Sequence, residues 1–136
     1  MSNIEGLMKV NVRVRSMKKA MEFLQNVLGA EPMHDRGSDT IGDFNGATVK
    51  LGNLVLDVMA PNDPEGALAR SIDKRGEGLD SICLQVKSFD DVEKSLAEHG
   101  IELVNKHVLH GNKVGFIHPR DALGMVIELI EPRSGD

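Results

Sequence analysis

Glu128 and Asp57 are the side chains whose placement most invites chemistry. Leu54-Val-Leu-Asp-Val-Met-Ala-Pro61 and Met125-Val-Ile-Glu-Leu-Ile-Glu-Pro132 carry an acid and a proline at equal spacing within apolar runs. Alternation of this kind belongs to a strand, where successive side chains point to opposite faces, so each acid shares a face with the residues two before and two after it. Recurrence at such a place favours Glu128 as a general acid or base for a carbon acid or a hydroxyl, a role worth about 10²- to 10⁴-fold in rate, over an edge-strand carboxylate in water. Cys83 is the only cysteine, which excludes a disulfide framework and a cysteine-based zinc knuckle; it reads as a buried small residue, a thiol nucleophile paired with a histidine being the alternative. Of the five histidines, His107 and His110 stand three apart on a strand-and-turn pattern that does not converge them, while His34 and His99 adjoin loop or helix-end signals. These four read as solvated. Gly42, Gly46 and Gly52 lack the spacing of a phosphate loop, there is no Gly-x-Ser-x-Gly elbow, and no spacing supports Ser81 with His118 or Glu128 as a nucleophile and its base.

The elements that must carry these residues come in duplicate. Val10-Asn-Val-Arg-Val-Arg-Ser-Met17 aligns with Ile82-Cys-Leu-Gln-Val-Lys-Ser-Phe89, apolar against apolar at every second position with a basic-Ser pair in the same place. Each runs into an amphipathic helix, Met17, Ala20, Met21, Leu24 and Leu28 before Gly29 in one and Phe89, Val92 and Leu96 before Gly100 in the other, with Ser16 and Ser88 as natural N-caps. The order strand, helix, acid-strand-proline in both halves predicts a duplicated βαβββ module. The modules span about 7–61 and 79–132, and a Gly- and Pro-rich join over 62–78 with a short helical pattern, Leu68 to Ile72, links them within a single 1–136 domain.

Faces follow from the alternation. Val10, Val12 and Val14 point to the helix, with Lys9, Asn11 and Arg13 opposite; Ser81, Cys83 and Gln85 oppose Ile82, Leu84 and Val86. The expected fold class is α+β, a mixed β-sheet with helices outside; if the other face curves into a cup, Lys9, Asn11, Arg13, Asp57, Ser81, Gln85 and Glu128 line a pocket.

Composition narrows the partners. Sixteen basic against 21 acidic residues give a net charge of −5, and Tyr and Trp are absent with only four Phe, which argues against nucleic acid and against an aromatic cage for a cation. No apolar run approaches the roughly 18 residues that span a bilayer, and no export signal is visible at the start. With one cysteine, the reading is a cytoplasmic domain, large enough to hold a core without disulfides or structural metal. A small-molecule enzyme, a small-molecule binding protein and an interaction module remain.

Phe23-Leu-Gln-Asn-Val-Leu-Gly-Ala-Glu31, Leu51-Gly-Asn53, Arg75-Gly-Glu-Gly-Leu79, His110-Gly-Asn-Lys-Val114 and Ile117-His-Pro119 running to Gly124-Met-Val-Ile-Glu-Leu129 give the chain, over about residues 7–132, a resemblance to the vicinal oxygen chelate superfamily. The superfamily includes glyoxalase I, extradiol dioxygenases and the bleomycin-resistance proteins, and the local wording is most similar to methylmalonyl-CoA epimerases. The resemblance implies paired βαβββ modules cupped around a divalent metal, in a homodimer. It implies that His110, Lys113 and His118 frame the cup's mouth, where Lys113 or Arg120 would meet an anionic or coenzyme A substrate, and that a second acid, Asp39 or Asp43, lies in the loop after the first helix.

Most of the ligands implied by that resemblance are replaced. Where the epimerases begin the first strand Asp-His, this chain has Met8 and Lys9; where their central strand begins His-His, it has Asp80 and Ser81; the strand closing the first half reaches Asp57, and Glu128 alone matches. An ammonium at one apex excludes a divalent cation by charge and by lost coordination. No cofactor is therefore expected; if a metal binds, Asp57 and Glu128 would hold it. Two readings of Lys9 stand: its ammonium replaces the metal's charge between Asp57 and Glu128, or it reaches solvent at the strand's start. The leading functional expectation is a metal-independent lyase or isomerase acting on a small oxygenated substrate, an acyl-CoA or carbonyl compound, with Glu128 moving a proton and Lys9 with Asp57 steadying the charge on oxygen. The alternatives are a non-catalytic binding protein of the resistance type, which the absence of Tyr and Trp disfavours, and a metal-dependent epimerase with an atypical site.

Overall fold

The computed structural model describes residues 3–33, 38–41 and 43–133, with only the backbone of 38–41. His34 and Gly42 lie outside the described residues. The chain forms two compact units, Lys9–Asp80 and Met1–Met8 with Ser81–Asp136.

The first unit carries β1 (Ile4–Arg13, from Lys9 onward), α1 (Met17–Met21) continuing into a π-helical segment (Glu22–Val27), β2 (Glu31–Pro32), β3 (Ser38–Ile41), β4 (Phe44–Leu51), β5 (Leu54–Pro61) and α2 (Ala67–Arg75). Its strands lie in the order β2, β4, β5, β1, with β3 also paired to β4. β1 and β5 are parallel, and β4 and β5 form a hairpin closed by the two-residue turn Gly52–Asn53. One face of this sheet packs on the helix: Val49, Leu56 and Val58 are buried with Ala30, against Val10, Val12, Met17, Ala20, Met21 and Leu24. Ser16 opens α1 by accepting from the Lys19 amide at 3.2 Å.

Leu28 departs from the expected stripe and is exposed. The helix widens before reaching it: the Leu28 amide donates five residues back to the Phe23 carbonyl at 3.1 Å, and the larger turn rotates Leu28 off the face that Leu24 occupies.

The second unit carries β6 (Gly78–Val86, from Ser81 onward), α3 (Phe89–Glu98), β7 (Val104–Leu109), β8 (Asn112–Ile117), a short 3₁₀ turn (Pro119–Asp121) and β9 (Ile127–Glu131). Its strand order is β6, β9, β8, β7, with β6 and β9 parallel and the other pairs antiparallel. This is the strand arrangement of the first unit repeated, so each unit holds one βαβββ module. Val86, Phe89, Val92, Leu103 and Leu129 form the helix-side core. Gly115 is required there, because a Cβ on it would stand 2.9 Å from the Phe89 ring. α3 is capped at its start by Ser88, which accepts from Asp91 N at 3.2 Å, and by the Glu131 carboxylate, which accepts from Phe89 N at 2.7 Å. It ends at Gly100, whose φ of 76° lets the Ile101 amide turn back to the Leu96 carbonyl at 2.9 Å.

Candidate functional site

In the first unit the sheet face away from the helix carries a row of polar side chains. Parallel pairing sets Asn11 beside Asp57, and the hairpin sets Thr48 on Asp57's other side. Thr48 Oγ1 donates to Asp57 Oδ1 at 2.6 Å, and Lys9, two residues before Asn11 on the same face, donates its ammonium to Asp57 Oδ2. The Lys9 and Asp57 side chains retain 15% and 23% of their exposure, enough shielding for the pair's charge to be felt at short range. Asn11 and Thr48 are buried beside them. Sequence reasoning singled out Lys9, Asn11 and Asp57 but missed Thr48. The signal was present: the two-residue turn at Gly52–Asn53 pairs Leu51 with Leu54 and, counting outward, Thr48 with Asp57.

Arg13, also expected to line the pocket, is buried and turned to its own backbone. Its Nε donates to the Gly76 carbonyl at 2.7 Å and one terminal nitrogen to the Leu79 carbonyl at 2.5 Å, with Asp80 3.4 Å away. The guanidinium thereby ties down the turn leading from α2. Of the two candidate second acids, Asp43 is committed elsewhere: its Oδ2 accepts from the Ala67 amide at 2.7 Å and caps α2 from across the unit. Gly66 makes room for it, since a Cβ there would meet that oxygen at 2.4 Å. Asp39 pairs with Gly46 through the β3 backbone, and its side chain lies outside the described residues.

In the second unit Glu128 occupies the place equivalent to Asp57, with Cys83 beside it on β6 and Phe116 on β8. Glu128 is buried, at 9% exposure. The sheet face away from α3 is more apolar than expected: Cys83, Val114 and Ile130 are buried together, with Met8 and Phe116 packed against them. Ser81 is buried; Gln85 is half-buried, with its amide nitrogen 3.4 Å from Glu5. His110, Lys113 and His118 are exposed. Lys113 stands 3.5 Å from Asp90, and His118 Nδ1 accepts from the Arg120 amide at 3.1 Å, capping the 3₁₀ turn. His99 and His107 are exposed and turn Nδ1 toward the carbonyls of Ser95 and Asn105. On the same unit's surface Glu93, hydrogen-bonded to Lys106, raises that lysine's pKa above its ordinary value.

A divalent metal of the kind the sequence resemblance implies needs several imidazole or carboxylate donors around one point. Here both oxygens of Asp57 are engaged, one by an ammonium and one by a hydroxyl. Among the described residues no three His, Cys, Asp or Glu come together in a way that could hold a metal ion. The described residues do not bring together a donor set that fits that group.

The duplicated module with a carboxylate at one repeat position defines the class. A family model for the glyoxalase/bleomycin resistance protein/dioxygenase superfamily matches residues 8–118, and the chain belongs to that superfamily. Within it, the mitochondrial methylmalonyl-CoA epimerase of Bos taurus is 29% identical over 136 residues, covering 93% of this chain and 74% of the relative. The uncharacterized protein YqjC of Bacillus subtilis (strain 168) is 26% identical over 130 residues, covering 92% and 91%. The crystal structure of methylmalonyl-CoA epimerase from Mycobacterium tuberculosis superposes with a TM-score of 0.85 at 28% identity, over 97% of this chain and 91% of that one. Among the described residues no helix is long and apolar enough to cross a membrane.

Proposed function

We propose that this chain is an acid–base isomerase that moves the proton on the carbon next to an acyl-thioester carbonyl, and that it does so without a divalent metal. The observation that carries this is the Lys9 ammonium held on Asp57, a fixed positive charge where the resemblance calls for a metal ligand. Removing that proton leaves an electron pair that spreads onto the thioester oxygen as an enolate. A preset cation near that oxygen lowers the barrier because it is already oriented when the charge develops. Lys9 is assigned that role, with Asp57 as its anchor. Glu128, buried at the repeat position equivalent to Asp57, is the residue proposed to carry the proton. Return of a proton to the same carbon completes the isomerisation with no net change in atoms. The likeness to methylmalonyl-CoA epimerases supports the substrate class.

The test is deuterium wash-in. Chelator-treated protein is incubated with methylmalonyl-CoA in D₂O, with and without added Co²⁺, and exchange at the α-carbon is followed by mass spectrometry. Exchange without metal is expected, falling about 10²- to 10³-fold in Lys9→Met. Exchange that appears only with Co²⁺ overturns the metal-free part, and none under either condition overturns the whole reading.

A further inference from the structure

We infer that Thr48 is a positioning residue for the Lys9 ammonium, acting through Asp57; its effect on turnover rests on the function proposed above, while its effect on Lys9 does not. The Thr48 side chain is buried, faces Asp57 directly across β4 and β5, and donates to Asp57 Oδ1 at 2.6 Å. The other carboxylate oxygen takes the ammonium. An aspartate carboxylate turns freely about its last bond, whose torsion is broad and two-fold. Pinning one oxygen with a hydroxyl from a neighbouring strand stops that rotation and keeps the second oxygen aimed at Lys9. Lysine is a point charge on a flexible stem, so a rotating anchor would let it wander, whereas a fixed one holds it at a single spot. Thr48 would therefore decide which substrate oxygen, arriving where, meets the positive charge.

Two variants separate the hydroxyl from the shape. Thr48→Val keeps the outline and is a good strand residue, so the fold is retained, while Thr48→Ser keeps the donor. The readout that a merely structural role would not move is the ¹⁵N order parameter of the Lys9 ammonium, assigned by the signal that vanishes in Lys9→Met. The order parameter is expected to fall in Thr48→Val and to be restored in Thr48→Ser. An unchanged value in Thr48→Val overturns the inference. On turnover, measured by wash-in with methylmalonyl-CoA, Thr48→Val should lose about tenfold to a hundredfold, the range for one hydrogen bond to a charged group, with Thr48→Ser recovering it. Thr48→Val should lose nothing further in a Lys9→Met background, and an equal loss there overturns action through Lys9. Absence of exchange in every form would overturn the proposed function and leave the ammonium measurement to decide Thr48 by itself.

Discussion

Asp57 and Glu128 sit at the same place in two copies of one module, yet their neighbours have diverged. Asp57 has threonine and asparagine beside it in register and an ammonium on one oxygen. Glu128 has a phenylalanine ring and a thiol beside it, on a strip where Val114 and Ile130 are buried. A carboxylate already bonded to an ammonium and a hydroxyl is an anchor: its charge is spent on holding the lysine. Glu128 is buried with apolar neighbours and is proposed above to carry the proton. Duplication thus supplies two equivalent acids, and the residues one strand away give them different surroundings.

That contrast can be broken by experiment. Glu128→Gln keeps size and removes the ionisable group, so wash-in should drop about 10²- to 10⁴-fold with the thermal midpoint nearly unchanged; retained exchange would show that the acid of the apolar half is idle. The helix-side cores provide a second comparison, since Val58 and Leu129 are equivalent in the repeat and both are almost wholly buried, at 0% and 1%. Leu129→Ala should cost about 2–5 kcal/mol in urea unfolding, and Val58→Ala less because fewer atoms leave; the reverse order would mean the two cores are not equivalent supports. Asp57→Asn should lower exchange by about tenfold to a hundredfold, the range for a hydrogen bond to a charged group, with no added loss in Lys9→Met. A loss in that background as large as in the native one would show that Asp57 does not act through Lys9. Smallest are the caps: Ser16→Ala and Ser88→Ala should each cost about 1 kcal/mol, and unequal values would show that Glu131, which also caps α3, shares the work in one half only.

Much of this architecture is legible in the amino-acid order, because strands and helices carry periods of two and 3.6 that the repeat displays twice. The caps at Ser16 and Ser88, the helix-facing valines Val10, Val12 and Val14, and the equivalence of Asp57 with Glu128 all follow from local pattern. What escaped depends on reach through space. Arg13 lies on the polar face as alternation requires, but nothing in its neighbours reveals that its guanidinium meets the Gly76 and Leu79 carbonyls. Asp43 reads as a loop acid until Ala67 is seen to need it. The π-helical segment is invisible to a periodicity argument, since the same apolar spacing suits an α-helix up to the turn where Leu28 swings out.

The Arg13 clamp also bears on the order in which this unit acquires its shape. It joins a strand residue to carbonyls 63 and 66 positions further along the chain. Closing so large a loop costs entropy that must be met before the bonds return anything. The turn after α2 therefore gains these two bonds only once the strand bearing Arg13 is in place. Arg13→Lys, which cannot fork between two carbonyls, would leave that turn held by fewer bonds.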